Sequence, residues 1–75
     1  MEKQKSSINQ KQSAALEQVY RACNHGGEPS FIVESVNVYV YGVRFTINLF
    51  KHHLELFGLS YRFSGECMFV FSPLY

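Results

Sequence analysis

Seventy-five residues with a net charge of +1, 47% of them apolar and 17% charged, allow one folded domain and no second core. The apolar content excludes a disordered tail. The near-neutral charge argues against a strongly basic nucleic-acid binder and against an acidic mimic of DNA.

A chain this short folds with little margin unless a disulfide, a metal or self-association reinforces it. It holds only two cysteines, Cys23 and Cys67, too few for a disulfide framework. Self-association is therefore the expected reinforcement. Residues Met1 to Ser7 are polar and lack the apolar stretch of a secretion signal. No run approaches the ~18 apolar residues of a membrane span. The expected location is the cytoplasm, away from membranes.

Composition shifts near Pro29. Residues 1–28 hold 7 of the charged side chains and a single aromatic, Tyr20, whereas residues 29–75 hold the other 6 charges and 11 aromatics. A polar helix followed by an aromatic sheet region is the simplest reading. Ser7-Ile8-Asn9-Gln10 fits a capping box, in which the Ser7 hydroxyl and the Gln10 amide satisfy free backbone donors. Leu16, Val19, Tyr20 and Cys23 recur at helical spacing along one stripe. His25-Gly26-Gly27 is a stop signal. These bounds predict a helix over 7–24, preceded by a polar segment, 1–6.

Residues 30–41 are dense in β-branched and aromatic side chains and are read as extended. They form either one long strand or a hairpin turning near Glu34–Asn37. The run is long for a single strand, yet no glycine is there to make the turn. As a single strand it would place Ile32, Val36, Val38 and Val40 on one side, and Phe31, Val33, Tyr39 and Tyr41 on the other.

Residues 43–57 carry two patterns. Val43 to Leu49 alternates as a strand does, while Ile47, Phe50, Leu54 and Phe57 mark one helix face. The Lys51-His52-His53-Leu54-Glu55 stretch has no strand character, which favours a helix over 46–57, capped by Thr46 and ended by Gly58. A strand to Asn48 followed by a shorter helix is the alternative. Residues 59–71 read as a β-hairpin turning at Ser64-Gly65-Glu66, with Pro73 ending the last strand. The order is helix, strand or hairpin, helix, hairpin, over one domain spanning 1–75. That is an α+β two-layer sandwich with an antiparallel sheet.

Catalytic constellations are sparse. His52 and His53 are adjacent, so on a helix they point about 100° apart and cannot chelate one ion together. One should face solvent and the other brush the core or an interface. Cys23, His25, a helix histidine and Cys67 have the ligand chemistry for zinc but none of its paired spacings. Two buried free thiols and surface histidines are the plainer reading. Cys67 begins a strand pattern, where cysteine mostly packs. There is no Gly-x-Ser-x-Gly elbow, no carboxylate pair and no phosphate loop. The expectation is a protein that is not an enzyme and uses no cofactor and no metal.

Two helices on one sheet face would leave the other face bare, and exposed aromatic faces mark association. The reading is a protein-interaction module, a homodimer that regulates or inhibits an unidentified partner protein by occlusion. Its size suits the small accessory proteins of phages and mobile elements. Strand parity nominates Tyr39, Tyr41, Tyr61 and Phe63 as contacts, with Arg44, Lys51 and Arg62 setting orientation. The competing reading for these rings is that they fill the core. The alternative function is nucleic-acid binding, by the same basic residues set among sheet aromatics. A third, an enzyme with an unrecognised site, rests only on the histidines and cysteines.

Overall fold

The computed structural model describes residues 8–73. The first helix, α1, spans Gln10–Asn24. Ser7, the expected cap, lies outside the described residues. The capping box falls instead on Asn9 and Gln12. The Asn9 side chain accepts from the Gln12 amide at 2.8 Å, and the Gln12 side chain accepts from the Asn9 amide at 3.1 Å. Both sites have the polar-x-x-Gln spacing the motif needs. The buried face of the helix is Ala15, Leu16, Val19 and Cys23. At the far end Gly26, at φ +84°, donates to the Cys23 carbonyl and Gly27 to the Ala22 carbonyl. This Schellman arrangement satisfies carbonyls that the helix leaves open.

Residues 30–41 form a hairpin rather than one strand: β1 (Ser30–Glu34) and β2 (Asn37–Val40) pair antiparallel around Ser35-Val36. Ser35 makes the turn at φ +60° without a glycine. A second tight turn at Tyr41-Gly42 leads into β3 (Val43–Thr46). Thr46 ends that strand and also caps α2 (Ile47–Leu56), its hydroxyl accepting from the Leu49 amide at 3.3 Å. The helix expected over 46–57 is therefore present, with a short strand ahead of it. Gly58 and Leu59 donate to the carbonyls of Glu55 and Leu54 and close α2. The last hairpin joins β4 (Ser60–Ser64) to β5 (Cys67–Phe71) around Gly65-Glu66.

All five strands pair antiparallel in one sheet, in the order β3-β2-β1-β5-β4. The helix α2 carries the chain from one edge, β3, to the other, β4. Both helices lie on the same face, as the shared core shows. Leu16, Val19 and Cys23 from α1 and Phe50 and Leu54 from α2 pack with Phe31, Val38, Val40, Phe45, Met68 and Val70. Phe50 is the hub, its ring 5.3 Å from Phe45 and 5.8 Å, edge-on, from Phe31. Such rings contribute both buried area and pairwise geometry. The result is the α+β two-layer fold.

The facing of β1 and β2 differs from the single-strand expectation. Phe31 and Val33 share the core side with Val38 and Val40, while Ile32 and Tyr39 together face outward. A two-residue turn pairs odd-numbered residues with even-numbered ones, so parity reverses across it.

Candidate functional site

The sheet face opposite the helices is covered by no described element. Register lays its side chains out in rows. Arg44, Tyr39, Ile32, Cys67 and Ser64 follow one another across the strands, and Ser30, Phe69 and Arg62 form a second row. Phe71 stands beside Ser60 beyond them. Ile32 is 61% exposed, a large fraction for an isoleucine in the central strand of its sheet. Tyr39 beside it is half-buried, as are Phe69 and Phe71 further along β5. An apolar, aromatic strip thus crosses the open face.

Two of its polar side chains, those of Arg62 and Tyr39, are tied to carboxylates. The Arg62 guanidinium lies 4.7 Å from the centroid of the Phe69 ring and pairs with the Glu28 carboxylate at 3.0 Å. Tyr39 donates its hydroxyl to the Glu34 carboxylate at 3.2 Å. Exposed ion pairs of this kind add little stability, but they hold the side chains in place and mask their charge. At one end of the strip, Gly26 to Glu28, Arg62 and Phe71 border a shallow cavity of about 340 Å³ that reaches Cys23. Cys23 belongs to the core, its thiol donating to the Val70 carbonyl at 3.6 Å, and burial, aided by Glu28, pushes that thiol above its ordinary pKa. Such a thiol is a poor nucleophile at neutral pH.

The residues nominated from the sequence divide between two surfaces. Tyr39, Arg44 and Arg62 lie on the open face. Tyr61 and Phe63 pair with Val70 and Met68, whose side chains face the core, so they sit on the helix side at the edge strand β4. Their rings meet edge-on at 5.8 Å, and Lys51 of α2 places its ammonium 5.7 Å from the Tyr61 ring, within cation–π range. Tyr41 is in the second turn at φ +52°, its ring edge-on to Phe31 at 5.4 Å. Burial, and after it Cys23, raises its hydroxyl pKa. Ile32, Phe69 and Phe71 complete the open face and were not nominated. The alternation Cys67-Met68-Phe69-Val70-Phe71 carries the signal for the last two, once Met68 and Val70 are placed in the core.

The histidines behave as adjacent helix residues must. His52 is exposed and His53 half-buried, with ring centroids 5.4 Å apart. The Nε2 atom of His53 is buried without a partner, and burial followed by His52 lowers its pKa. Of the two thiols expected to be buried only Cys23 is, in the core; Cys67 pairs with outward-facing Ile32 and is half-buried on the open face. Among the described residues no group of three or more His, Cys, Asp or Glu side chains converges as metal ligands would. Nor is any described helix long and apolar enough to cross a membrane.

Comparison with known protein families, curated protein sequences and solved structures finds no match for this chain.

Proposed function

We propose that this chain is a non-catalytic protein-interaction module, working in the cytoplasm as a homodimer, that regulates or inhibits a partner protein by covering part of its surface. The observation that carries the reading is the uncovered sheet face. Exposed Ile32 stands beside Tyr39, Phe69 and Phe71 follow along β5, and Arg62 beside Phe69 is already held by Glu28. Contiguous apolar and aromatic surface with few free charges is the composition of an interface centre. Regulation by occlusion suits a domain in which, among the described residues, no group of three or more His, Cys, Asp or Glu side chains converges.

The second reading, single-stranded nucleic acid stacking on Tyr39 and Phe69 beside Arg44 and Arg62, draws on the same face. Glu28 and Glu34, bound to Arg62 and Tyr39, work against it by repelling phosphates. Affinity that falls steeply with added salt would favour it.

The test is retention of extract proteins on the tagged chain, with and without nuclease, compared with Ile32→Asp. Ile32 is mostly exposed, so this variant keeps the core. A protein retained by the wild type after nuclease treatment and lost from Ile32→Asp is the expected result. Retention that disappears with nuclease, or that Ile32→Asp leaves unchanged, refutes it.

A further inference from the structure

The two edges of the sheet are unlike. On β3 the outward Arg44 carbonyl accepts from the Gln12 side chain of α1 at 3.1 Å, and Thr46 turns directly into α2. That edge is short and partly closed. On β4 the pattern of the ladder shows which groups remain. Val33 donates to the Glu66 carbonyl and Val70 to the Pro29 carbonyl, so Glu66, Met68 and Val70 direct their main chain toward β1. Hydrogen-bonding direction alternates along a strand. Cys67, Phe69 and Phe71 therefore bond β4 through Ser64, Arg62 and Ser60. The amides and carbonyls of Tyr61 and Phe63 are left pointing out of the sheet, and no described residue pairs with them.

An open edge of this kind binds another strand. We infer that β4 pairs antiparallel with β4 of a second copy of this chain, about a two-fold axis at Arg62, joining two five-stranded sheets into one. The inference rests on the proposed reading for its expectation of a homodimer, but it uses the sheet edge rather than the open face.

Three observations select a second copy over a foreign strand. Tyr61 and Phe63 flank Arg62 symmetrically, so in this register Tyr61 of each copy opposes Phe63 of the other and every outward amide meets an outward carbonyl. The two aromatic pairs then fall on the helix side, where Phe63 is now 48% exposed. Arginines facing each other at the axis would ordinarily repel. Here each guanidinium is turned back over its own Phe69 and neutralised by its own Glu28. Finally, because β3 is partly closed, assembly by β4 stops at two copies, a closed isologous pair rather than a growing sheet.

Sedimentation of the full chain, with three variants, tests this. The wild type should sediment as a dimer. Phe63→Pro removes an outward amide, at a position where an edge strand tolerates proline, and should be a folded monomer by circular dichroism. Arg62→Cys with Cys67→Ser should form a disulfide-linked dimer under mild oxidation, because residues facing across a non-hydrogen-bonded pair lie about 4.5 Å apart at Cα. Registers displaced by one residue at the axis separate these thiols too far. A monomeric wild type, a dimeric Phe63→Pro, or failure of the cysteine variant to cross-link overturns the inference. Ile32→Asp should remain dimeric. Loss of partner binding in Ile32→Asp alongside a monomeric wild type would leave the open-face reading standing and remove only the dimer.

Discussion

Val33 stands directly opposite Val38 across the first hairpin. That pairing turns Phe31, Val33, Val38 and Val40 to the core and leaves Ile32 and Tyr39 on the open face. The turn that sets it is made by Ser35 at φ +60°, a conformation that side chains disfavour. Gly65 occupies the same turn position in the last hairpin, also at φ +60°. Ser35→Gly should relieve the strain, offset in part by the added freedom of the unfolded chain. The expected gain is about 0.5–1 kcal/mol, read as a higher urea midpoint at constant slope. A lower midpoint would mean that the serine side chain stabilises the turn in a way its backbone angle does not reveal.

Phe50 joins α2 to the sheet through Phe31 and Phe45 and has no exposed surface. Truncation to alanine removes most of a ring from the centre of a small core, at a cost of about 3–5 kcal/mol. For a domain of this size that is most of the folding free energy. Phe50→Ala should be largely unfolded by circular dichroism at room temperature. Exposed Phe63→Ala should unfold close to the wild type when compared below the dimer concentration.

His53 is held below the ordinary histidine pKa of 6.5, first by burial and then by His52. Above that value the folded and unfolded chains are both neutral at this site and stability is at its full level. As pH falls below about 6.5 the unfolded chain takes up a proton that the folded chain resists, and stability declines. The decline from this group ends at the lowered folded pKa, where both states are charged. His53→Leu should therefore flatten the loss of the thermal midpoint in mildly acidic buffer. An unchanged slope would place the acid sensitivity elsewhere.

The two thiols should react at different times. Cys67 lies in the open-face row between Ile32 and Ser64, whereas Cys23, on the core face of α1, is 2% exposed. Iodoacetamide under native conditions should modify Cys67 and spare Cys23 until the chain is unfolded, as mass spectrometry of the peptides can show. A partner bound on the open face should protect Cys67 as well. Native modification of Cys23 ahead of Cys67 would contradict the burial described.

Much of the architecture is local and was legible in the chain. The Gly26-Gly27 and Gly58 stops, the Thr46 cap and the hairpin around Gly65 each depend on a few adjacent residues whose backbone chemistry has few solutions. The 46–57 helix could be read because Lys51 to Glu55 has no strand character and Phe50 and Leu54 share a face. The starting residue of α1 could not, since Ser7-x-x-Gln10 and Asn9-x-x-Gln12 offer the same box and their spacing does not choose between them. The strand ahead of α2 was obscured because Val43 to Thr46 is short and merges with the helix pattern.

The candidate surface was less legible, for one physical reason. A single residue in a turn decides to which side every later side chain in its strand points, and Ser35, being no glycine, gave no sign of the turn. Strand parity without that turn groups Tyr39 with Phe31 and sets the aromatics of β2 and β4 on one surface, whereas they lie on two. Composition determined that this chain would hold more aromatic and apolar residues than a small core needs. Only the tertiary structure decided which of them were left over, because that depends on both helices covering the same face and on long-range pairing of β1 with β5, neither of which is recorded in the spacing of neighbouring residues.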